Sequence, residues 1–255
     1  MSEYGTGFAD GYDERQPVVL LLDTSASMGR PADSPRIAEL NAALARWFDS
    51  VRSEARLRSR VEVCLITFDS HVRVYDAAKA SLIPAEEADT SRVFVPVDQL
   101  RPPLLGASGL TRMTAAIDTA LDLSRERYRA LQTRKVPVRR PFLWLLTDGA
   151  PSDTEGRPQD AAALAPTARR LRRCEERGEG VFQAIGVRGA DLPLLKVLAP
   201  RAALMLDSLD FGQILDLLFL SSDQAGAVSD ADEVHRQVAD MAAVRERMNR
   251  LEDSL

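Results

Sequence analysis

The sequence predicts a doubly wound α/β fold, in which a mostly parallel sheet carries helices on both faces. Uncharged segments of strand length recur along the chain, the first at residues 18–22 (VVLLL). Segments with apolar residues at helical spacing lie between them, and Gly, Pro, Asp and Ser mark the junctions. Strands that alternate with helices are typical of a parallel sheet covered on both sides.

The first half of the chain begins this alternation. Residues 18–22 have no polar interruption, as expected of a strand buried on both faces. Residues 35–52 place apolar side chains at helical spacing. Residues 61–68 and 71–75 predict a strand and a short partner across a turn, which gives the sheet one antiparallel edge strand. Residues 91–97 (SRVFVPV) predict an extended segment.

The second half repeats the pattern. Predicted helices lie at residues 111–131, 158–177, 192–198 and 211–220, and predicted strands at residues 141–146, 181–187 and 202–205. No internal repeat is visible. This regular alternation supports one α/β domain rather than several small ones.

The 255 residues suit one main domain with two appendages. We expect residues 1–16 to form a flexible N-terminal extension, residues 17–222 the domain, and residues 223–255 a linker followed by an amphipathic helix. An apolar stripe recurs there at steps of three and four residues: Val234, Val238, Met241, Val244, Met248, Leu251 and Leu255. Three roles stay open for this helix: packing back on its own domain, docking on a partner, or self-association.

Composition argues against several classes of protein. No apolar run approaches the roughly 20 residues that span a bilayer, and the N-terminus lacks the pattern of a secretion signal, so we expect a cytoplasmic protein without a membrane partner. The net charge of −5 argues against binding to nucleic acid. Two cysteines and two histidines, without Cys-x-x-Cys or a histidine cluster, do not predict a zinc site.

Five oxygen-bearing residues lie where ligands bind in such folds, beyond the carboxyl ends of the strands. Asp23, Ser25 and Ser27 follow the first strand, Thr111 begins a helix after a Gly-containing loop, and Asp148 follows the strand at residues 141–146. If these strands are neighbours, two carboxylates and three hydroxyls converge. A simpler interpretation of Asp23, Ser25 and Ser27 is a cluster that caps a helix or turn.

The donor set favours a hard divalent cation. All five groups offer oxygen, which suits Mg²⁺, with Mn²⁺ as the alternative, and disfavours zinc. The alternating Ser25 and Ser27 direct both hydroxyls to one side of an extended turn. Because the carboxylates are few, a bound Mg²⁺ keeps a coordination position that another molecule's carboxylate can fill.

These residues resemble the von Willebrand factor A domain, whose metal-ion-dependent adhesion site (MIDAS) is written Asp-x-Ser-x-Ser, then a Thr, then an Asp. The matching positions are Asp23, Ser25, Ser27, Thr111 and Asp148. The resemblance implies that the serines and the threonine touch the metal more directly, and that the two aspartates often act through water. The chain departs from the family where Leu110 precedes Thr111 and where Thr114 replaces a glycine, so Thr114 is the alternate ligand.

Within that family the chain is most similar to small bacterial proteins associated with tellurium resistance, the TerY-like group. The similarity covers residues 17–222 and includes LLLDTSASM, IAELNAAL, LLTDGAPSD and AIGVRGADLPLLKVLAP. It implies a scaffold or adaptor in bacterial stress or defence clusters, often alongside kinases and phosphatases.

We therefore expect a binding module and not an enzyme. The cation would capture an Asp or Glu side chain of a protein partner, and Thr24, Met28, Thr114 and Gly149 would contact that partner. Two alternatives stay open. The first is a phosphohydrolase that uses the cation as a Lewis acid, and the second is a structural subunit that oligomerises through the C-terminal stripe.

Known catalytic patterns fit the sequence poorly. A phosphatase of the haloacid dehalogenase type needs a second Asp two residues after the first, where this chain has Ser25. The histidines, His71 and His235, belong to no Gly-x-Ser-x-Gly elbow. These departures favour the binding module over an enzyme.

Overall fold

The computed structural model describes residues 14–207, 210–225 and 230–252. Residues 1–13 of the predicted extension, residues 226–229 of the predicted linker and Leu255 of the stripe lie outside the described residues. The division of the chain at residues 17 and 222 therefore stays a prediction. The first described strand begins at Gln16.

Within the described residues, eight strands form one mixed sheet. They are β1 (Gln16–Asp23), β2 (Val61–Phe68), β3 (Val72–Asp76), β4 (Ser81–Pro84), β5 (Val95–Pro96), β6 (Phe142–Thr147), β7 (Val181–Gly186) and β8 (Ala203–Met205). Their order is β4-β3-β2-β1-β6-β7-β8, and β5 pairs with β2. The pairs from β2 through β1, β6 and β7 to β8 are parallel, whereas β3, β4 and β5 pair antiparallel with their neighbours. The predicted mostly parallel sheet with an antiparallel edge is confirmed.

Helices flank the sheet. They are α1 (Arg36–Ser50), α2 (Ala55–Arg60), α3 (Thr90–Val93), α4 (Met113–Thr133), α5 (Ala161–Glu176), α6 (Leu192–Leu198), α7 (Phe211–Ala225) and α8 (Ala231–Glu252). Short 3₁₀ turns lie at Ala26–Gly29, Val51–Ser53 and Ala85–Glu87. Across the parts of the chain that the structure covers, no helix is both long and apolar enough to cross a membrane.

The alternation of side chains along β1 produces two cores, one on each face of the sheet. Val18, Leu20 and Leu22 contribute to the core beneath α1, α7 and α8. Val19 and Leu21 contribute to the opposite core, beneath α4, α5 and α6. Both faces of β1 are therefore covered, which explains why its sequence has no polar interruption.

The C-terminal helix α8 packs back on its own domain through the first half of its stripe. Val234 and Val238 are each 2% exposed and belong to the core beneath α1 and α7. In the second half of α8, Val244 is 57% and Met248 50% exposed. Packing on the domain is thus the role observed for the first half, and docking or self-association through the second half stays a prediction.

The extended segment predicted at residues 91–97 is wrong over its first part. Thr90–Val93 is helical, and the strand β5 is limited to Val95–Pro96. The cause is Asp89, whose carboxylate accepts a hydrogen bond from the Ser91 backbone N–H at 2.8 Å. Such a cap favours a helical turn over the extended conformation that the apolar residues suggest.

Candidate metal site

Two neighbouring strands bring the predicted acidic residues to one edge of the sheet. β1 and β6 are parallel, with Leu22 opposite Leu146. Asp23 is the last residue of β1, and Asp148 directly follows the last residue of β6. Since parallel strands present their carboxyl ends together, the two carboxylates lie at the same edge.

Asp23 is fully buried and held on both of its oxygens. Oδ1 accepts the Ser25 backbone N–H at 2.8 Å, and Oδ2 accepts the Thr147 hydroxyl at 2.5 Å. Burial raises the pKa of Asp23 to about 6; the hydrogen bonds from Ser25 and Thr147 oppose the rise, and the charge of Asp148 adds to it. A cation near this carboxylate would stabilise its ionised form.

The two serines link the β1 loop to Asp148. The Ser25 and Ser27 hydroxyl oxygens lie 3.0 Å apart. The Ser27 hydroxyl donates to Asp148 Oδ1 at 2.6 Å. Ser25 is buried, whereas Ser27 is partly exposed. The three side chains form a continuous row of oxygens at the edge of the sheet.

Thr111 reaches the same place from the loop before α4. Its backbone N–H donates to the Ser152 hydroxyl at 3.0 Å, and its carbonyl accepts the Ser152 N–H at 2.9 Å. The position of Gly149 shows where the Thr111 side chain points. A methyl group added to the Cα of Gly149 would lie 3.5 Å from Thr111 Oγ1, 3.5 Å from Ser27 Oγ and 3.7 Å from Asp23 Oδ2. Oxygens from two separate segments, the loop at the end of β1 and the loop before α4, thus face the same small space beside Gly149.

Thr114, the alternate ligand, contacts a different part of the chain. Its hydroxyl donates to Gln159 Oε1 at 3.2 Å. Thr111 Oγ1, in contrast, borders the space around Gly149. The geometry therefore favours Thr111 over Thr114 as the threonine of the site.

Two of the predicted partner contacts lie inside the domain. Thr24 is 4% exposed and donates its hydroxyl to the Phe68 carbonyl, and Met28 is 1% exposed in the core beneath α1. Both side chains are therefore buried within the domain, and their contact with a partner stays a prediction. Gly149 and Thr114 are partly exposed and remain predicted contacts.

The residues present fit a hard divalent cation. Neighbouring ligands around an octahedral Mg²⁺ lie about 2.9 Å apart, since each bond is about 2.0–2.1 Å, and the Ser25 and Ser27 hydroxyls have a similar spacing of 3.0 Å. Elsewhere in the described chain, no group of three or more His, Cys, Asp or Glu side chains is placed to hold a metal. The candidate site differs from such clusters because three of its five candidate ligands are hydroxyls.

Sequence reasoning missed Arg36, the first residue of α1. Its guanidinium Nη1 donates to Asp148 Oδ2 at 2.7 Å, and the side chains of Arg36 and Asp148 are 22% and 0% exposed. A sequence signal did exist: α1 follows the Asp23 loop closely, so its first turn must lie at the same edge of the sheet. The pattern did not indicate the direction of the side chain.

The two histidines contact other parts of the chain. The side chain of His71 is 71% exposed and lies 3.8 Å from Asp69. His235 is buried on α8 and lies 3.0 Å from Glu175 Oε1 and 3.4 Å from Gln183 Oε1. Neither contact places an imidazole beside the oxygens of the candidate site.

Solved structures with a similar fold include proximal thread matrix protein 1 from the mussel byssus (TM-score 0.49, 16% identity, 84% of this chain and 49% of that one). The same mussel protein with a zinc-occupied MIDAS motif matches at TM-score 0.46 and 17% identity, over 84% of this chain and 48% of that one. A von Willebrand factor type A protein from Catenulispora acidiphila matches at TM-score 0.47 and 17% identity, over 90% of this chain and 43% of that one.

The fold is the doubly wound α/β fold that the sequence predicts, with a parallel centre, an antiparallel edge and helices on both faces of the sheet. Since every one of these TM-scores is below 0.5, the assignment to the von Willebrand A domain stays a prediction. The chain spans a little under half the length of each of these structures. No family model and no curated protein matches the chain. Membership of the TerY-like group stays a prediction.

Proposed function

We propose that the chain is a protein interaction module in which a divalent cation captures an Asp or Glu side chain of a partner protein. The observation that carries the proposal is the convergence of Asp23, Ser27 and Thr111 oxygens around Gly149. The donor chemistry favours Mg²⁺, with Mn²⁺ as the alternative.

Each residue has a distinct part in this proposal. Ser25, Ser27 and Thr111 supply neutral oxygens, and Asp23 and Asp148 supply the negative charge. A bound cation would supply a Lewis-acidic centre with a coordination position for an external carboxylate. Two carboxylates can offset a divalent charge without surrounding the ion, which leaves it attractive to the acidic residue of a partner.

The finer parts of the proposal rest on the family resemblance. They are a cytoplasmic scaffold or adaptor, a role in bacterial stress or defence, and partners that include kinases or phosphatases of the same cluster. The mussel protein with a zinc-occupied MIDAS motif supports a divalent ion in a site of this kind. It does not identify the ion for this chain.

Metal binding is tested first. Calorimetric titration with Mg²⁺, Mn²⁺ and Zn²⁺ should show one site in the wild type and a large loss of affinity in Ser25→Ala and in Asp23→Ala. It should show no change in Ser53→Ala, which removes an exposed hydroxyl from the 3₁₀ turn after α1. Circular dichroism reports whether each variant folds. A wild-type chain that binds none of the three ions would refute the proposal.

Partner capture is tested second. Proteins retained from the native host by the immobilised chain in Mg²⁺, and released by EDTA, would be purified and their affinity measured directly. The proposal predicts that binding needs the metal, that Ser25→Ala abolishes it, and that an Asp or Glu substitution in the partner does the same. Equal affinity with and without EDTA would exclude metal-mediated capture.

A further inference from the structure

Arg36 places a positive charge of the chain itself on an acidic residue of the candidate site. The guanidinium donates to Asp148 Oδ2 at 2.7 Å, while the other oxygen of the same carboxylate accepts the Ser27 hydroxyl at 2.6 Å. Asp148 is inaccessible to solvent, and its ion pair with Arg36 is therefore weakly screened. Charged hydrogen bonds of this kind are among the stronger ones in proteins.

A divalent cation at the site would need the same carboxylate. Asp148 is one of only two acidic groups among the five candidate ligands, and Asp23 is the other. The guanidinium and the ion would also repel each other across a few ångströms of weakly polarisable surroundings. The side chain of Arg36 is 22% exposed, so part of it already contacts solvent, whereas that of Asp148 does not.

We propose that Arg36 is an internal competitor of the metal, and that a cation occupies the site by displacing the guanidinium from Asp148. This inference rests on the proposed function and adds a means of regulation to it. The affinity of the site would be set by an arginine that is not a ligand. The site would then fill only when the concentration of free divalent cation is high enough to overcome the ion pair.

Substitutions separate competition from a purely structural role. Arg36→Gln removes the charge and keeps a hydrogen-bond donor. Arg46→Gln makes the same change at an exposed position of the same helix and is the matched control. Competition predicts that Arg36→Gln raises the affinity for Mn²⁺ by about tenfold, which corresponds to about 1.4 kcal/mol, and that Arg46→Gln binds as the wild type does.

Thermal unfolding gives a second readout. In EDTA, Arg36→Gln should melt at a lower temperature than the wild type, because Asp148 loses its partner. Its rise in melting temperature on adding Mn²⁺ should be larger than that of the wild type. A structural role alone predicts equal destabilisation with and without Mn²⁺ and no gain in affinity, and that result would overturn the inference.

A third test uses the wild type, so its result does not depend on whether Arg36→Gln folds. The Arg36 Nε–H signal in a nitrogen-correlated NMR spectrum, assigned by its loss in Arg36→Lys, should shift or broaden when the protein is saturated with diamagnetic Mg²⁺. An unchanged signal at saturation would overturn the competition. Absence of metal binding in both the wild type and Arg36→Gln would instead refute the proposed function, so the two failures are distinguishable.

Discussion

Thr147, the last residue of β6, donates its hydroxyl to Asp23 Oδ2, at the end of β1, over a distance of 2.5 Å. This bond joins the two strand ends that carry the acidic residues of the candidate site. It is also one of the hydrogen bonds that oppose the rise in the pKa of Asp23. Thr147 therefore contributes to the site without supplying a candidate ligand.

Thr147→Val should destabilise the chain by about 1–3 kcal/mol, because a buried carboxylate loses a hydrogen bond that water cannot replace. Urea denaturation in EDTA at pH 7 measures the change in the free energy of unfolding. The matched control is Thr133→Val, whose hydroxyl is exposed near the end of α4. Equal stability of Thr147→Val and the control would show that the bond contributes little.

The sequence was sufficient to predict the parallel centre of the sheet and the edge at which the candidate residues lie, but it did not predict the strand β4. The strands β1 and β6 are buried on both faces and so have few polar residues, which makes their ends visible as the first Asp or Thr after an apolar run. Once the strands are taken as parallel neighbours, Asp23 and Asp148 must share an edge. Thr111 was harder, because its position depends on a long loop held by Ser152.

Other features had no clear signal in the sequence. The helix α2 buries none of its residues, so it carries no apolar periodicity that could reveal it. The contact between Arg36 and Asp148 depends on how the first turn of α1 packs and on the rotamer of a long side chain. Neither follows from the spacing of residues along the chain.

Gly189 allows the backbone to pass closely over Asp148. Its φ is +108°, and a Cβ there would lie 2.7 Å from the Asp148 carbonyl oxygen. Gly189→Ala should therefore lower the free energy of unfolding by about 1–3 kcal/mol, through backbone strain and displacement of the Asp148 segment. We also expect weaker binding of Mn²⁺ in a calorimetric titration.

Gly106→Ala is the control for this change, since a Cβ there meets no atom within 4 Å. It should leave stability unchanged or slightly higher, because alanine restricts the unfolded chain more than glycine does. If the two alanine variants were equally stable, close packing at Gly189 would not matter for the fold.

The two thiols should be unreactive in the native protein. Cys64 and Cys174 are buried. Burial raises the pKa of the Cys64 thiol far above its ordinary value, and burial, with the charges of Glu175 and Glu179, raises the pKa of Cys174 to about 12. At pH 8 an aromatic disulfide reagent should modify both thiols in urea and neither in native buffer within minutes. Rapid native labelling would contradict their burial.

The same shifts predict the effect of high pH on stability. Because the thiol pKa in the folded chain exceeds the ordinary value of 9.0, the unfolded chain loses these protons first. The protonated thiols therefore contribute fully to the free energy of unfolding below about pH 9. This contribution is lost as the pH rises toward the pKa of the thiols in the folded chain. The free energy of unfolding should fall between pH 8 and pH 10, and less steeply in Cys174→Ala. An equal slope in that variant would exclude a contribution from Cys174.

Substitutions in the two halves of the apolar stripe on α8 should differ in their effect on stability. Val238 is 2% exposed in the core beneath α1 and α7, whereas Val244, six residues later on the same helix, is 57% exposed. Val238→Ala should lower the free energy of unfolding by about 1–3 kcal/mol, because it removes buried methyl groups and leaves a cavity. Val244→Ala should change it by less than about 0.5 kcal/mol, as exposed substitutions usually do.

Urea denaturation of the isolated chain at two protein concentrations would check this division. If Val244→Ala were as destabilising as Val238→Ala, and only at the higher concentration, the second half of α8 would be buried between copies of the chain. Since the first half already fills the core of its own domain, we expect no concentration dependence for Val238→Ala. The comparison thus tests self-association at a position whose loss leaves the fold itself intact.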